Sequence, residues 1–386
     1  MAERLMTESK RFSYGELALT DFVNQYQGTI PKVRLFELTL PWLTATEQFM
    51  LPENSQVIVH CLYQKLEGQT SVLAIAWPLV HIVKGKSSKT EIISLTSFYS
   101  SIAEPIFFMP ATKENLHQLF SSIDQNCQWT SMQLGAFEEG MVSQVIIEYF
   151  RYQKIFSQTD NIYQEDIADF ASYYQQRPSQ LRNTIRRREK KLAKAHQYRI
   201  EIITRIDEFS SALIAYKDIY QHSWKGDEFS FDFIEQVCLA ALAENKLRFG
   251  LLYVDDEPAA VQLWFLQSTY DVRSLQENSE VQNNSRQLQT TASIFKLAYT
   301  PKYQEYSVGS ILSLALSEFV ISQDKVSSIE FGMGSEPYKK DWLTEKRTRQ
   351  SFQVFNPNSI YGKLVIIRHI LIPRLVTLLT GKISKQ

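Results

Sequence analysis

From residue 197 onward the apolar and polar positions separate strands from helices. QYRIEIIT (197–204) reads as a strand. Asp207 then starts a helix whose apolar positions Phe209, Leu213, Tyr216 and Tyr220 recur at helical spacing. A second helix runs from Asp232 to about Asn245, with Ile234, Cys238, Ala241 and Leu242 on one face. LRFGLLYV and PAAVQLWF follow, two apolar runs joined by Asp255, Asp256 and Glu257, which is a hairpin signal. After a polar stretch from about Asp271 to Gln289, which predicts a loop, TASIFKLAY is another strand. Gly309 opens a helix with Ile311, Ala315 and Phe319 in one row and Leu312, Leu316 and Val320 beside it. Ser328–Phe331 is a buried strand, and SFQVF closes the sheet.

The first half is less regular. QVIVHCLY, SVLAIAWPLV and IISLTSFY predict strands, followed by a helix near Glu114–Ile123 and a strand near Met132–Leu134. Between the halves lies PSQLRNTIRRREKKLAK, a basic helix with Ser179 as its cap. The run LVIIRHILIPRLVTLL (364–379) is too short and too charged to span a bilayer. It reads as a packed terminal helix, with an interfacial membrane anchor as the alternative.

At 386 residues the chain is long for one core and points to two domains. A formal charge of -1 and 22% charged residues exclude a global attraction to nucleic acid or membrane. Three scattered cysteines form neither a CxxC pair nor an even disulfide framework, and the N-terminus has no apolar core of signal-peptide length. Both features predict a cytoplasmic protein. The histidines show no HExxH, HxH or Cys/His metal spacing, so no metal site is expected. A GxSxG elbow is missing too, which disfavours a serine hydrolase.

SSIEFGMGSEPYKKDWL (327–343) carries the densest chemistry. A strand runs into two glycines and then into Tyr-Lys, the pattern of a strand ending at a site. A dinucleotide fingerprint fails because Pro337 stands where its third glycine belongs, and no GxxxxGK[ST] phosphate loop occurs.

The order strand, two helices, hairpin, strand, glycine-started helix, strand, short helix, strand is that of the GNAT acyltransferase fold. Three motifs sharpen the likeness. RPSQLRNTIRRREKKL resembles the basic helix lps.lR..irR..rkl of the FemAB-like and CelD-like branch of the GNAT superfamily; YSVGSIL resembles its YsPG.ll segment; IEFGMGSEPYKKDW resembles its DFg.GdepYK..W. The likeness covers about residues 30 to 370. Glu330 and Ser335 stand where the family usually has Asp, and Val308 replaces the usual Pro.

This resemblance implies an α/β (α+β) fold of tandem GNAT-like domains, each a mixed, largely antiparallel splayed sheet flanked by helices. The corresponding division is an N-terminal extension (1–29), a degenerate GNAT-like domain (30–178), a basic connecting helix (179–196), a GNAT domain holding the acyl-CoA site (197–358) and a terminal amphipathic helix (359–386). No sequence repeat links the halves.

The resemblance also implies roles. Ser307, Val308, Gly309 and Ser310 would cradle the CoA pyrophosphate at a helix start; an ordinary helix start is the structural alternative. Glu330 would take the amine's proton, against an ion pair with Lys339 or Lys340. Tyr338 would protonate the departing thiolate, and Lys339 would bind a phosphate or stabilise negative charge. Trp224 and Lys225 would border the acceptor cleft, with Trp224 alternatively a core anchor. Arg182 and Arg186, on the basic helix, would dock an anionic acceptor, against a merely solvated face.

The function expected is acyl-CoA-dependent N-acylation, with acetyl-CoA as donor, of an amine on a cell-envelope or exopolysaccharide precursor. No metal and no DNA partner is expected. The setting is cytoplasmic, with peripheral contact at the inner face of the membrane through 364–379. One alternative is a FemX-like transferase using aminoacyl-tRNA, although the coiled-coil insertion usual in such enzymes is not seen. Another is a non-enzymatic polyanion binder acting through Arg182, Arg186, Arg187, Arg188, Lys190 and Lys191, the only setting besides the tRNA reading with a nucleic-acid partner.

Overall fold

The structure is a computed structural model and describes residues 11–31, 33–66, 70–84, 89–270 and 288–373. In chain order the elements are β1 (Phe12–Ala18), α1 (Leu19–Tyr26), α2 (Leu40–Met50), β2 (Ser55–Lys65), β3 (Ser71–Lys84), β4 (Lys89–Ser94), β5 (Ile106–Phe107), α3 (Lys113–Asn126), β6 (Ser131–Glu138), α4 (Met141–Tyr149) and β7 (Gln153–Gln164). There follow α5 (Phe170–Gln175), α6 (Ser179–Ala195), β8 (Tyr198–Ile203), α7 (Phe209–Gln221), α8 (Phe231–Ala243), β9 (Leu247–Val254), β10 (Glu257–Tyr270), β11 (Leu288–Tyr299), α9 (Val308–Ser322), β12 (Ser328–Met333), α10 (Pro337–Trp342), β13 (Glu345–Phe355) and α11 (Ile360–Ile366).

Two compact units form. The first comprises the described parts of Met1–Pro31, Leu51–Thr159 and Thr348–Gln386; the second comprises those of Lys32–Met50 and Asp160–Arg347. This departs from the linear division into 30–178, 179–196 and 197–358, and hydrogen bonding gives the reason. The SFQVF segment does not close the second sheet: in β13, Arg349 to Phe355 pair antiparallel with Glu138 to Ser131 of β6, inside the first unit. Conversely, Asn161, Tyr163 and Gln164 of β7 pair with β12 in the second. The basic helix α6 is no connector, since Ile185 and Leu192 are buried in the second core. Its start is also shifted: Pro178 occupies the cap position without a side-chain bond, and Ser179 is already helical.

In the first unit the sheet order is β1-β2-β3-β4-β6-β13, with β5 on β3. Only the β4–β6 pair is parallel. Helices α3 and α4 seal it with Leu116, Leu119, Phe120, Val145 and Ile146 against Trp77, Phe137 and Phe352. Thr112 caps α3 by accepting the Asn115 amide hydrogen at 3.1 Å. Ile366 and Ile370 pack with Phe355, while Leu364, Ile367 and Leu371 are exposed; residues 374–379 of the same run lie outside the described residues. Among the described residues no helix is long and apolar enough to cross a membrane.

In the second unit the order is β7-β12-β11-β10-β9-β8, antiparallel except for β11–β12. The β9–β10 hairpin turns on Asp255 and Asp256, both at positive φ (49° and 66°), as Asp tolerates. One sheet face, with Trp264 and Ile294, packs under Ile311, Leu312 and Leu316 of α9. Gly250 makes this possible, because a β-carbon there would lie 2.7 Å from Leu316 Cδ1. On aromatic side chains of β10 and β11 sits a segment the sequence left unassigned: Phe36 stacks on Phe265 at 4.6 Å, and Trp42 of α2 meets Phe233 and Phe295 edge-on. The loop expected at 271–289 falls outside the described residues except for Leu288 and Gln289, which begin β11.

Candidate functional site

Parallel pairing between β11 and β12 covers four positions, Thr291↔Ser328 to Ile294↔Phe331. Beyond them β11 runs on to Tyr299, paired there with β10. The strands thus part at Phe295–Tyr299, and the chain returns from that end through Ser307 into α9. First-turn amides of a helix have no intrahelical acceptor and carry the positive end of its dipole. Ser307 holds a left-handed conformation (φ 55°, ψ 44°), and its carbonyl accepts the Ser310 and Ile311 amide hydrogens at 2.9 and 3.1 Å. Buried Gln262 of β10 fastens this turn, donating to the Gly309 carbonyl at 2.9 Å and to Ser313 Oγ at 2.7 Å, while Trp264 Nε1 donates to its other end.

Gly309 faces Tyr299. A β-carbon there would stand 3.1 Å from the tyrosine ring, so the ring would have to give way. On its other side the ring lies against Trp224, with centroids 4.2 Å apart. Trp224 is 51% exposed, which removes the core-anchor alternative. Gly309 and Trp224 therefore meet through Tyr299.

Beside them is a cluster of charge. Lys296, on the parted end of β11, is buried and donates at 2.8 Å to buried Glu228, which also accepts from the Tyr216 hydroxyl. Burial lowers the Lys296 pKa, with Glu228 opposing the shift. Lys225, next in sequence to Trp224, is exposed. Desolvation first, then the Lys296 charge, pushes its pKa down to about 8; Lys339 adds to the fall, and Glu228 and Glu336 oppose it. Tyr338, edge-on to Phe331 at 5.9 Å, is pushed up to about 12 by burial and by Glu336. Lys339 holds the glycine turn closed, donating to Met333 and Gly334 carbonyls at 2.5 and 3.3 Å and pairing with Glu336 at 2.7 Å.

Other expected residues lie apart. The buried Glu330 carboxylate pairs with Arg347 and, at 3.6 Å, with Arg34, instead of with Lys339 or Lys340. Strand alternation turns it away from its neighbour Phe331, on which Tyr338 and Lys339 pack. Arg182 Nε donates to the Arg177 carbonyl, and Arg186 is exposed. Arg188 and Lys191 are engaged by Glu305. Ser335, in place of the family's Asp, donates to Asp160 at 3.0 Å.

The sequence did not single out Lys296, Glu228, Tyr299 or Gln262. Two carried a signal: a lysine inside the apolar run TASIFKLAY, and a glutamine inside PAAVQLWF. A buried polar side chain in such a run needs a partner.

Residues 179–270 and 287–340 match the family described as Acetyltransferase (GNAT) domain. No curated protein sequence matches the chain. Among solved structures, FemX aligns with TM-score 0.60 at 9% identity, covering 92% of this chain and 100% of that one. The C-terminal domain (DUF2156) of a putative lysylphosphatidylglycerol synthetase from Agrobacterium fabrum aligns with TM-score 0.51 at 9% identity, over 91% and 96%. A protein of unknown function from Bacteroides thetaiotaomicron VPI-5482 aligns with TM-score 0.51 at 10% identity, over 89% and 100%. At such identities the likeness concerns the fold alone, a mixed α/β architecture of sheet and flanking helices shared over nearly the whole chain. The residues that match the GNAT acetyltransferase family all fall within the second unit.

Proposed function

We propose that the second unit transfers an acyl group from acyl-CoA, with acetyl-CoA the first candidate, to an amine. The supporting observation is the parting of β11 from β12 beside the start of α9, where Gly309 makes room for the Tyr299 ring. Phosphate oxygens suit the first-turn amides of a helix. Ser307, Val308, Gly309 and Ser310 are the residues assigned to them; since the Ser307 and Ser310 amides donate to the Gln304 and Ser307 carbonyls, these residues would offer the amides of Val308 and Gly309 and the hydroxyls of Ser307 and Ser310.

In the reaction the amine nitrogen bonds to the acyl carbon, the carbon–sulfur bond breaks, and one proton passes from the amine to the thiolate. Lys225, with a pKa near neutrality, is suited to receive that proton when neutral. Tyr338 stays protonated at neutral pH and is suited to donate to the thiolate. Glu330 receives a structural role here, because its carboxylate is held by two arginines. The acceptor proposed is an amine on a phosphate-bearing envelope or exopolysaccharide precursor, the association of the CelD-like branch. The exposed Leu364, Ile367 and Leu371 beside Lys363 and Arg368 fit a peripheral contact with the membrane on which such precursors reside.

Fold likeness to FemX over nearly the whole chain favours a second reading, aminoacyl transfer from tRNA. Two assays separate them: release of free thiol from acetyl-CoA in the presence of amine acceptors, and transfer of a labelled amino acid from charged tRNA. Thiol release that depends on acceptor and is lost in Lys225→Met supports the first reading; label transfer without thiol release replaces it with the second.

A further inference from the structure

The first unit holds a side-chain cluster that acyl transfer does not use. Glu16 of β1 stands directly opposite His60 of β2, Tyr14 precedes Glu16 by two positions, His81 comes from β3, and Cys127 follows the end of α3. His60, His81 and Cys127 each offer a ligand atom, all within 4.8 Å of one another. Glu16 Oε1 lies 3.4 Å from the Cys127 sulfur and 4.0 Å from His60 Nδ1. Two imidazoles, a thiol and a carboxylate thus converge at one place, from four separate elements.

Each polar atom of His60, which is fully buried, is engaged within the cluster. Its Nδ1 faces the Tyr14 hydroxyl at 2.6 Å, and its Nε2 faces His81 Nε2 at 3.0 Å. Tyr14 donates to Glu16 at 2.7 Å. Proton accounting gives one order: His81 Nε2–H to His60 Nε2, His60 Nδ1–H to Tyr14, Tyr14 to Glu16, with the Cys127 thiol also donating to Glu16.

We propose that this cluster is a site for a zinc-class transition-metal dication, bound by His60, His81 and Cys127 with Glu16 completing a tetrahedral set. Imidazole and thiolate together select such ions, and four-ligand sets of nitrogen, sulfur and carboxylate donors bind them tetrahedrally. Binding displaces the thiol proton of Cys127 to solvent, while each histidine stays neutral, ligating through one ring nitrogen and keeping its proton on the other. The dication balances the thiolate and the carboxylate. Local sequence spacing does not expose the site, because its ligands are separated by a strand, a hairpin and a helix. It ties β1, β2, β3 and the end of α3 together, so its role is structural to the first unit.

The test is titration of the metal-stripped full chain with Co2+, followed by absorption spectroscopy, with metal content by mass spectrometry and thermal denaturation alongside. The expected result is one equivalent bound, tetrahedral cobalt absorption in the visible, a thiolate-to-cobalt charge-transfer band in the near ultraviolet, and a raised Tm. In Cys127→Ser the charge-transfer band is lost while the fold is retained; in His81→Asn, a partly exposed position, stoichiometric binding is lost. Absence of stoichiometric binding by the folded wild-type chain overturns the proposal and leaves a hydrogen-bonded chain only, as does binding without a thiolate band or binding unchanged in both variants.

Discussion

The Trp224 indole lies against the Tyr299 ring with centroids 4.2 Å apart, and Tyr299 in turn limits what can stand at position 309. A half-exposed aromatic pair of this kind contributes about 0.5–1.5 kcal/mol beyond area burial. Trp224→Ala is therefore expected to lower stability by only about 1 kcal/mol. Its larger effect should fall on KM, since the indole borders the mouth of the parted strands. Urea denaturation and steady-state kinetics on the same preparation check this; a variant that loses stability and keeps its KM would assign Trp224 to packing alone.

Lys225 sets the expected pH dependence. A base works when unprotonated, so kcat/KM should rise with pH through about 8 and level off above it. Lys225→Met should lower kcat by about 10²–10⁴-fold, and Lys225→Arg, charged throughout, should flatten the profile. A pH series on the three proteins decides. The same depressed pKa acts on stability in a fixed direction: between about 8 and the ordinary lysine value near 10.4 the unfolded chain binds more protons, so stability climbs with pH across that window.

Lys296 and Glu228 form a buried pair, which is costly to break and cheap to replace. Lys296→Met alone should destabilise by about 3–5 kcal/mol, because it strands the Glu228 carboxylate. The double variant Lys296→Met, Glu228→Leu should recover most of this loss. Chemical denaturation of wild type, both singles and the double closes the cycle, and additive losses would show that the pair is not coupled.

Glu330→Gln tests whether the carboxylate between Arg347 and Arg34 is structural or chemical. A structural role predicts a loss of about 3–5 kcal/mol from two arginines left with a neutral partner, and a kcat within a few-fold of wild type for the folded fraction. A stable variant with kcat down by about 10²-fold or more would restore Glu330 as the base.

Most elements of the second unit were legible because their periodicity is clean: β8, the α7–α8 pair, the Asp255–Asp256 hairpin, α9 and the strand at Ser328 all occur where the apolar pattern places them. The exchanged strand ends were not. Nothing local in SFQVF tells that its partner is β6, because pairing at that sequence separation depends on which edge is open in three dimensions. Segment 33–50 was missed for a related reason: Phe36 and Trp42 are anchors whose targets, Phe265, Phe233 and Phe295, lie about two hundred residues away or more. In the candidate site, Gly309, Trp224, Lys225, Tyr338 and Lys339 were put forward by motif likeness. The Lys296–Glu228 pair was not, since a buried ion pair is defined by the meeting of two residues and by neither one alone.

Calorimetric titration of the purified chain with acetyl-CoA, repeated on Gly309→Trp, tests the central claim most directly. The account predicts saturable binding near one equivalent by the wild type and its loss in a folded Gly309→Trp, whose side chain would displace the Tyr299 ring at the start of α9. Absence of binding by the wild type, or equal binding by the variant, would contradict an acyl-CoA site at the parting of β11 and β12.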